Sequence, residues 1–382
     1  MLRPPVPSLP RSSLAVTLAC VSFGAVVAGC AAGAVGPAAA RGANHSRVGV
    51  RVSARQPGDD ILARTDGLVP IGDELRVRAA GAGGLSLIVE PTQGLAAIDG
   101  DVAAARRSVD VTMYELDDAT FEAALVADAR RGVRVRVLLN GGYCGRGGFS
   151  ANDAATSYLR AHGVRVRASP SSFALTHQKT ITIDNKASLV MTLNLTSRYY
   201  ATDRDFAILD TQPADVAAIE RVFDADWNNK QISPSAGTGD LVWSPGAQNE
   251  LLSLIAAAKT SLEVESEEMD DSAITSALCA AAGRRVHVQV VMTYDDSWRD
   301  AFATLTACGV QVRTYAQDAA LYIHAKEIVV DDREAFVGSQ NFSPTSLEAN
   351  RELGIITANP QIVTQLAQTF AADDNGATPY NT

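Results

Sequence analysis

The chain has 382 residues, of which 47% are hydrophobic and 20% are charged. This balance is typical of a globular protein with a full core and excludes a disordered chain over most of the length. The formal net charge is −10, so the surface as a whole repels a polyphosphate backbone and argues against a nucleic-acid binder.

The N-terminal segment has the pattern of a secretory signal. Two arginines precede an almost wholly apolar stretch from residue 14 to residue 27, as in signal peptides. The stretch ends in Val-Ala-Gly-Cys30, which resembles the lipobox of bacterial lipoproteins. The resemblance implies a signal peptide at 1–29, lipidation of Cys30, secretion across the bacterial cytoplasmic membrane, and anchoring to the phospholipid surface on its extracytoplasmic face. A plain signal peptide cut near 38–40 and an uncleaved anchor are the alternatives.

The segment that follows is rich in Ala, Gly and Arg, so residues 30–84 predict a lipid-attached tether and flexible lead-in. Beyond it the chain has three cysteines, Cys144, Cys279 and Cys308. An oxidising compartment permits one disulfide among them, and all three pairings remain open. Three small apolar side chains are the alternative interpretation. No C-x-x-C pair or histidine cluster indicates zinc, and we expect neither a metal nor a cofactor.

From about residue 85 the sequence repeats itself. The first copy predicts a strand, a helix and a strand at 108–114, 121–130 and 133–139. The second copy predicts the same elements at 261–264, 273–282 and 286–292, an offset of about 153 residues. Alternating strands and helices predict two α/β halves, which we place at 85–232 and 233–376 with a tail at 377–382. Two similar halves favour one site where they meet.

One motif of the form H-x-K-x-x-x-x-D occurs twice, at His177–Asp184 and at His324–Asp331, 147 residues apart. The chain holds only five histidines and five lysines. A shuffled chain of this composition would contain about 0.07 histidine–lysine pairs at this spacing. Two such pairs therefore indicate a duplicated functional site.

The duplication extends downstream of both motifs. Thr192 and Asn194 correspond to Ser339 and Asn341, and Asp205 corresponds to Glu352. This set resembles the phospholipase D superfamily, with its paired HKD motifs, each followed by G-S-x-N and a later acidic residue. The resemblance covers residues 85–376 and implies two halves packed about a pseudo-twofold axis, with one active site between them. Met191 in place of Gly and Thr192 in place of Ser depart from the family pattern.

The residue types suit chemistry at a phosphodiester. Residues i and i+2 of a strand face one side, so each histidine points with its lysine into one space. Lys179 and Lys326 can neutralise the phosphate, and Asn194, Ser339 and Asn341 add neutral contacts. One neutral imidazole attacks phosphorus, while the other, protonated, donates to the leaving oxygen.

The family resemblance implies His177 as nucleophile and His324 as general acid, although swapped roles remain open. Asp205 and Glu352 are expected to hold the imidazole rings and their tautomers. The distant Asp184 and Asp331 are expected to be structural hydrogen-bond acceptors. Tyr114 and Glu267 occupy equivalent strand ends, where they either line the cleft or pack in the core.

The sequence therefore predicts a metal-independent phosphodiesterase that hydrolyses or transphosphatidylates glycerophospholipids through a covalent phosphohistidine. Both motifs lie in one chain, so a monomer suffices. An endonuclease or other nucleic-acid phosphodiesterase of the same superfamily is the alternative, and a surface protein that binds phosphorylated ligands without turnover is a third. Six arginines could line a nucleic-acid cleft: Arg131, Arg134, Arg136, Arg165, Arg167 and Arg198.

Overall fold

The computed structural model describes residues 84–145, 147 and 149–381. The predicted signal peptide, the Cys30 lipidation site and the lead-in up to residue 83 lie outside the described residues, as does the side chain of Cys144. The tether, the anchor and their boundaries therefore stay predictions.

Strands and helices alternate along the described chain. The strands are β1 Leu85–Glu90, β2 Ser108–Met113, β3 Leu116–Asp117, β4 Arg134–Leu139, β5 Arg165–Ala168, β6 Thr180–Ile183, β7 Ala187–Met191, β8 Leu195–Thr196, β9 Asp203–Asp210, β10 Leu241–Ser244, β11 Ser261–Ser266, β12 His287–Thr293, β13 Gln311–Tyr315, β14 Tyr322–Ile323, β15 Lys326–Val330, β16 Glu334–Gly338, β17 Glu352–Thr357 and β18 Thr378–Pro379. The helices of five or more residues are α1 Ala96–Ala103, α2 Ala119–Arg130, α3 Asp153–Ala161, α4 Pro213–Trp227, α5 Ala247–Ala257, α6 Ser272–Gly283, α7 Arg299–Ala307, α8 Pro344–Glu348 and α9 Pro360–Gly376.

Two large mixed sheets have the same strand order. The first runs β1-β9-β7-β6-β2-β4-β5, and the second runs β10-β17-β16-β15-β11-β12-β13-β18. In both, three strands are parallel and joined by crossover helices, while the next strand is antiparallel to them. The predicted α/β class and the duplication into two similar halves are confirmed.

A pair of aspartates occurs in both copies of the repeat, at 117–118 and at 270–271, and the second of each pair precedes a crossover helix. Asp118 accepts hydrogen bonds from the backbone N–H groups of Thr120 and Phe121 and so caps α2. Asp271 caps α6 in the same way. Each cap satisfies backbone donors that the first helical turn leaves free, which explains why the repeat includes these positions.

The sheets pack face to face, with α4 and α9 also contributing to the space between them. Each outer face is covered by its own helices and has its own apolar core, around Phe121 in the first half and Phe302 in the second. A third core contains residues of both sheets, such as Phe206 and Leu353, together with Ile219 and Phe370 of the two helices. Burial of apolar surface therefore joins the halves.

Two buried ion pairs cross between the halves in a reciprocal arrangement. Arg204 of β9 binds Asp373 of α9 through two nitrogens, at 2.5 and 2.9 Å. Arg351, just before β17, binds Asp226 of α4 at 2.8 and 3.1 Å. Bidentate pairs are directional, so they fix the orientation of one half relative to the other as well as adding contact.

The last described residues pack against the second sheet. In the predicted tail at 377–382, β18 pairs with β13 and the Tyr380 N–H donates to the Val312 carbonyl. The Tyr380 ring packs 5.3 Å from that of Phe302, measured between centroids. The edge strand β13 has backbone groups available for pairing, and the aromatic ring gains apolar contact there.

The structure selects one of the three disulfide pairings that the sequence left open. Cys279 of α6 and Cys308, just after α7, form a disulfide with Cα atoms 5.5 Å apart. Within the described residues, no helix is both long and apolar enough to cross a membrane.

A buried carboxyl on β11 makes stability depend on pH. Burial, with Glu327 and Asp373 nearby, raises the pKa of Glu265 well above its usual value of 4.5. The unfolded chain therefore loses this proton first, and the free energy of unfolding falls as pH rises from about 4.5 through the folded-state pKa. We expect Glu265→Gln to raise the melting temperature at pH 8, because it should increase the free energy of unfolding there by about 1–3 kcal/mol.

Thermal unfolding at several pH values checks this prediction. The gain is expected to shrink towards pH 5, whereas Glu334→Gln, at a partly exposed position of β16, should show no such trend. A gain of equal size at every pH would contradict a protonated Glu265.

Candidate active site

Each motif begins just before a strand and ends in a tight turn. Asp184 and Asp331 both have positive φ, 55° and 52°, and are each followed by a second positive-φ residue, as in type I′ hairpins. The Asp184 carboxylate accepts backbone N–H groups of residues 106–108, and that of Asp331 accepts those of 259–261. These aspartates therefore tie the hairpins to the chain that leads into β2 and β11.

The histidines and lysines deviate slightly from the predicted strand positions. Strand β6 begins at Thr180, so His177 and Lys179 lie in the extended segment before it, whereas Lys326 is the first residue of β15. His177 is held there because its backbone N–H, together with that of Gln178, donates to the Arg351 carbonyl of the other half. Both motifs therefore start at the junction of the halves.

The structure pairs each histidine with the carboxylate of the opposite half. His177 Nδ1 lies 2.9 Å from Glu352 Oε2, and His324 Nδ1 lies 2.8 Å from Asp205 Oδ1. His177 Nδ1 also lies 3.2 Å from the Ser339 carbonyl oxygen. An acceptor at Nδ1 holds the proton there and leaves Nε2 free for chemistry. Each of these Nδ1 pairs therefore takes its histidine from one half and its carboxylate from the other.

Both carboxylates are themselves held by hydroxyl or amide donors. Glu352 is fully buried, and its Oε1 accepts from Ser346 Oγ at 2.5 Å and from Asn350 Nδ2 at 2.9 Å. Thr192 Oγ1 donates to Asp205 Oδ1 at 2.5 Å and accepts the Phe206 N–H. The predicted set did not include Ser346, which lies in the short helix α8.

The two lysines are completely buried. Each Nζ donates back to the carbonyl of its own histidine, at 2.7 Å for Lys179 and 2.5 Å for Lys326. Within the described residues, the Oδ1 atoms of Asn194 and Asn341 are both buried without a hydrogen-bond partner. The structure therefore gathers the predicted lysines and Asn341 at one centre.

Ser339 has a different arrangement from the one predicted for phosphate contact, and Thr192 has the structural role that its place in the motif predicted. Ser339 Oγ accepts the Leu353 N–H at 3.2 Å, as Thr192 accepts that of Phe206. These hydroxyls therefore connect neighbouring strands of each sheet. The departure at Met191 does not affect the cleft, because the Met191 side chain is fully buried in the core of the first half. At the equivalent Gly338, a Cβ would approach Gly354 Cα within 2.6 Å.

The electrostatic surroundings of the first histidine favour its neutral form. Burial lowers the pKa of His177 below its usual value of 6.5, and Lys179 lowers it further, while Glu352 acts in the opposite direction. Burial and then Lys326 lower the pKa of Lys179 to about 7. A bound anion would relieve this repulsion between the two ammonium groups.

Glu267 enters the centre of the site. Its Oε2 lies 2.8 Å from Lys326 Nζ, 3.3 Å from Asn341 Nδ2 and 3.5 Å from His324 Nε2. The equivalent residue 153 positions earlier is Tyr114, whose ring lies 4.6 Å from the His177 ring and 5.2 Å from Lys179 Nζ. The repeat offset identified both strand ends, but only the tertiary structure shows that both line the cleft.

One group of side chains has the composition of a metal site. The ligand atoms of Asp203, Asp205 and His324 lie within 4.8 Å of one another. The His324–Asp205 hydrogen bond already engages one ring nitrogen and one carboxylate oxygen, and Thr202 Oγ1 donates to Asp203 at 2.8 Å. The three side chains therefore belong to a network of hydrogen bonds among protein groups.

Duplicated mixed sheets, with two histidine–lysine pairs facing one cleft between them, define the phospholipase D class of proteins. The chain belongs to the family described as "Cardiolipin synthase, PLD-like domain", whose pattern matches residues 100–227 and 251–373. The two matched segments each contain one motif.

Comparisons with individual proteins agree with this assignment. A cardiolipin synthase of Alkalihalophilus pseudofirmus is 26% identical over 292 residues, which cover 65% of this chain and 57% of that protein. The chain thus spans just over half the length of this curated relative. A phosphatidylserine synthase structure from Haemophilus influenzae matches with a TM-score of 0.61 and 13% identity, covering 79% of this chain and 88% of that one. A polyphosphate kinase structure from Porphyromonas gingivalis matches with a TM-score of 0.58 and 14% identity, covering 75% of this chain and 46% of that one. The two structures show a shared fold.

Proposed function

We propose that the chain is a phosphodiesterase that hydrolyses or transphosphatidylates glycerophospholipids through a covalent phosphohistidine. The observation that carries this proposal is the pair of imidazoles at one cleft, each held at Nδ1 by a buried carboxylate of the other half. Both Nε2 atoms are then available to a single phosphorus atom. One chain supplies the complete set, so a monomer suffices.

In the proposed reaction, His177 Nε2 attacks phosphorus and the bond from phosphorus to the head-group oxygen breaks. His324 gives its proton to that oxygen, and the head-group alcohol leaves. Water then attacks phosphorus, transfers a proton to His324, and the P–N bond breaks to release His177 and the phosphatidic acid. When another alcohol replaces water, the product is a new phosphodiester.

The two histidines differ in ways that suit these roles. The lowered pKa of His177 keeps a neutral nucleophile. Both ring nitrogens of His324 face carboxylate oxygens, at 2.8 and 3.5 Å, so an imidazolium there has an acceptor near each N–H group. Lys179, Lys326 and the asparagine amides compensate the negative charge that builds up on the phosphoryl oxygens.

The surface charge supports a lipid over a nucleic acid. Four of the six arginines that could bind a phosphate backbone are paired with acidic side chains. These pairs are Arg131–Asp128, Arg134–Asp110, Arg136–Asp110 and Arg198–Glu115. A paired guanidinium adds little to the attraction of a polyanion, and the net charge of −10 opposes it.

We also propose that the protein is secreted and anchored as a lipoprotein at Cys30. The Cys279–Cys308 disulfide supports an oxidising compartment outside the cytoplasm. An anchor at Cys30 would hold the cleft near its lipid substrate. Labelling with a fatty-acid analogue in bacteria, lost on Cys30→Ser, tests the anchor.

A direct assay tests the activity. The full-length chain is incubated in a chelator with mixed phospholipid vesicles and, separately, with DNA, using His177→Ala as the matched control. We expect head-group release that persists in the chelator and is absent in the variant.

DNA cleavage without lipid turnover would replace the lipid substrate by nucleic acid with the same residues in the same roles. Turnover that stops when a chelator is added would contradict the metal-independent mechanism. Retention of a phosphorylated ligand without any turnover would favour the binding protein.

A further inference from the structure

A carboxylate occupies the part of the cleft where the proposed function requires a phosphate. Glu267 Oε2 contacts Lys326 Nζ and Asn341 Nδ2 and lies 3.5 Å from His324 Nε2. These are three of the groups expected to surround the phosphoryl oxygens. An incoming phosphate must therefore displace the Glu267 carboxylate from Lys326.

The carboxylate is present on one side of the cleft only. Tyr114 holds the equivalent position beside Lys179 and His177, and among the described residues Lys179 forms no ion pair. Lys179 is thus free to bind the phosphate, whereas Lys326 starts paired. The His177 side of the cleft, which we assign to the nucleophile, therefore has a neutral aromatic ring. The His324 side, which we assign to the leaving group, has a negative charge.

Displacement by phosphate leaves the Glu267 charge without its partner. Burial alone would raise the pKa of Glu267, but Lys326 and His324 lower it far below its usual value, so the group enters the exchange ionised. Burial raises the pKa of Tyr322, and the negative charges of Glu267, Asp203 and Glu268 raise it further. The Tyr322 hydroxyl therefore lies in the same acidic surroundings. A positive charge on the leaving group would restore the balance.

A separate observation also indicates a ligand donor at this position. Asn341 is 5% exposed, and its Nδ2 faces the Glu267 carboxylate, which fixes the orientation of the amide. Its Oδ1 is buried with no hydrogen-bond partner among the described residues. A buried acceptor without a partner is costly, so a ligand N–H or O–H group would satisfy it.

We propose that Glu267 is the specificity-determining residue for the leaving group and selects phosphodiesters whose head group carries an ammonium. In the complex, the Lys326–Glu267 pair is replaced by a Lys326–phosphate pair and an ammonium–Glu267 pair. An uncharged polyol head group supplies no second pair and leaves the carboxylate beside the phosphate. This inference rests on the proposed phosphodiesterase function.

Competition within one vesicle tests the inference. The full-length chain is given vesicles with equal amounts of phosphatidylethanolamine and phosphatidylglycerol, and the release of ethanolamine and glycerol is measured together. The wild type is expected to favour ethanolamine. In Glu267→Gln, the ratio of the two kcat/KM values should fall about tenfold or more, chiefly through slower ethanolamine release.

Glu115→Gln is the matched control, because it removes one carboxylate from the chain segment beside Tyr114, where Glu115 pairs with Arg198. Its ratio should equal that of the wild type. Parallel loss of both activities in Glu267→Gln, or an equal change of the ratio in Glu115→Gln, would overturn the role of Glu267.

A binding measurement separates failure of this inference from failure of the proposed function. Glycerophosphoethanolamine and glycerophosphoglycerol are titrated calorimetrically into wild type and Glu267→Gln, with thermal unfolding to confirm that the variant is folded. A preference for the ethanolamine ligand that is lost in the variant supports the subsite even if no lipid is turned over. Equal binding of both ligands by the wild type refutes it.

Discussion

His177→Ala is expected to lose at least about 10⁴-fold in turnover, because it removes the group that forms the covalent bond in the proposed reaction. His324→Ala should lose about 10²–10⁴-fold on lipids, since the leaving oxygen no longer receives a proton. It should nevertheless react with a p-nitrophenyl phosphodiester, whose leaving group needs no acid. A phosphoryl adduct should then accumulate on His177 and be visible by mass spectrometry of the intact protein.

The location of the adduct is the decisive readout. An adduct on His324 in the His177→Ala protein would reverse the two roles while retaining the two-histidine chemistry. If no adduct forms in either protein although the wild type is active, a direct attack by water would replace the covalent mechanism.

Glu352→Gln is expected to lower kcat by about 10²–10⁴-fold with little change in KM, as for other catalytic histidines that lose their orienting carboxylate. The amide oxygen of Gln can still accept a hydrogen bond from His177 Nδ1, but it cannot stabilise the positive charge that the imidazole acquires in the transition state. Asp205→Asn should have the same effect through His324.

The pH profile separates this effect from a general loss of structure. Glu352 raises the pKa of His177, so its removal lowers that pKa further. The proposed reaction requires neutral His177, so the acidic limb of kcat/KM should move to lower pH in Glu352→Gln. Ser346→Ala keeps the carboxylate but removes one donor to Glu352 Oε1, and should show a smaller loss with the limb less displaced. An unchanged limb in Glu352→Gln would contradict the pairing.

The order of strands and helices was largely readable from the sequence, because local patterns determine it. The repeated pattern predicted β2, β4 and the crossover helix between them, and the same three elements in the second copy. The pairing of β18 with β13 was not predicted, since it depends on an edge strand that is distant in sequence. The domain boundaries at residues 84–85 and 232–233 stay predictions.

By itself the sequence determined the residue types of the site, because a duplicated motif of rare residues is visible at fixed spacing. It also determined the two-half α/β class and the resemblance to the phospholipase D superfamily. The sequence could not determine which carboxylate pairs with which histidine, because Asp205 and Glu352 occupy equivalent positions in the two copies.

Only the tertiary structure decided that His177 binds Glu352 and His324 binds Asp205, because this depends on how one half is rotated against the other. That rotation is held by the shared apolar core and the reciprocal Arg204–Asp373 and Arg351–Asp226 pairs. Within each half, strand pairing brings Glu267 to Lys326 and Tyr114 to Lys179, through β11 with β15 and β2 with β6. Side-chain contacts between segments far apart in sequence have no local pattern, so the asymmetry of the cleft appears only in three dimensions.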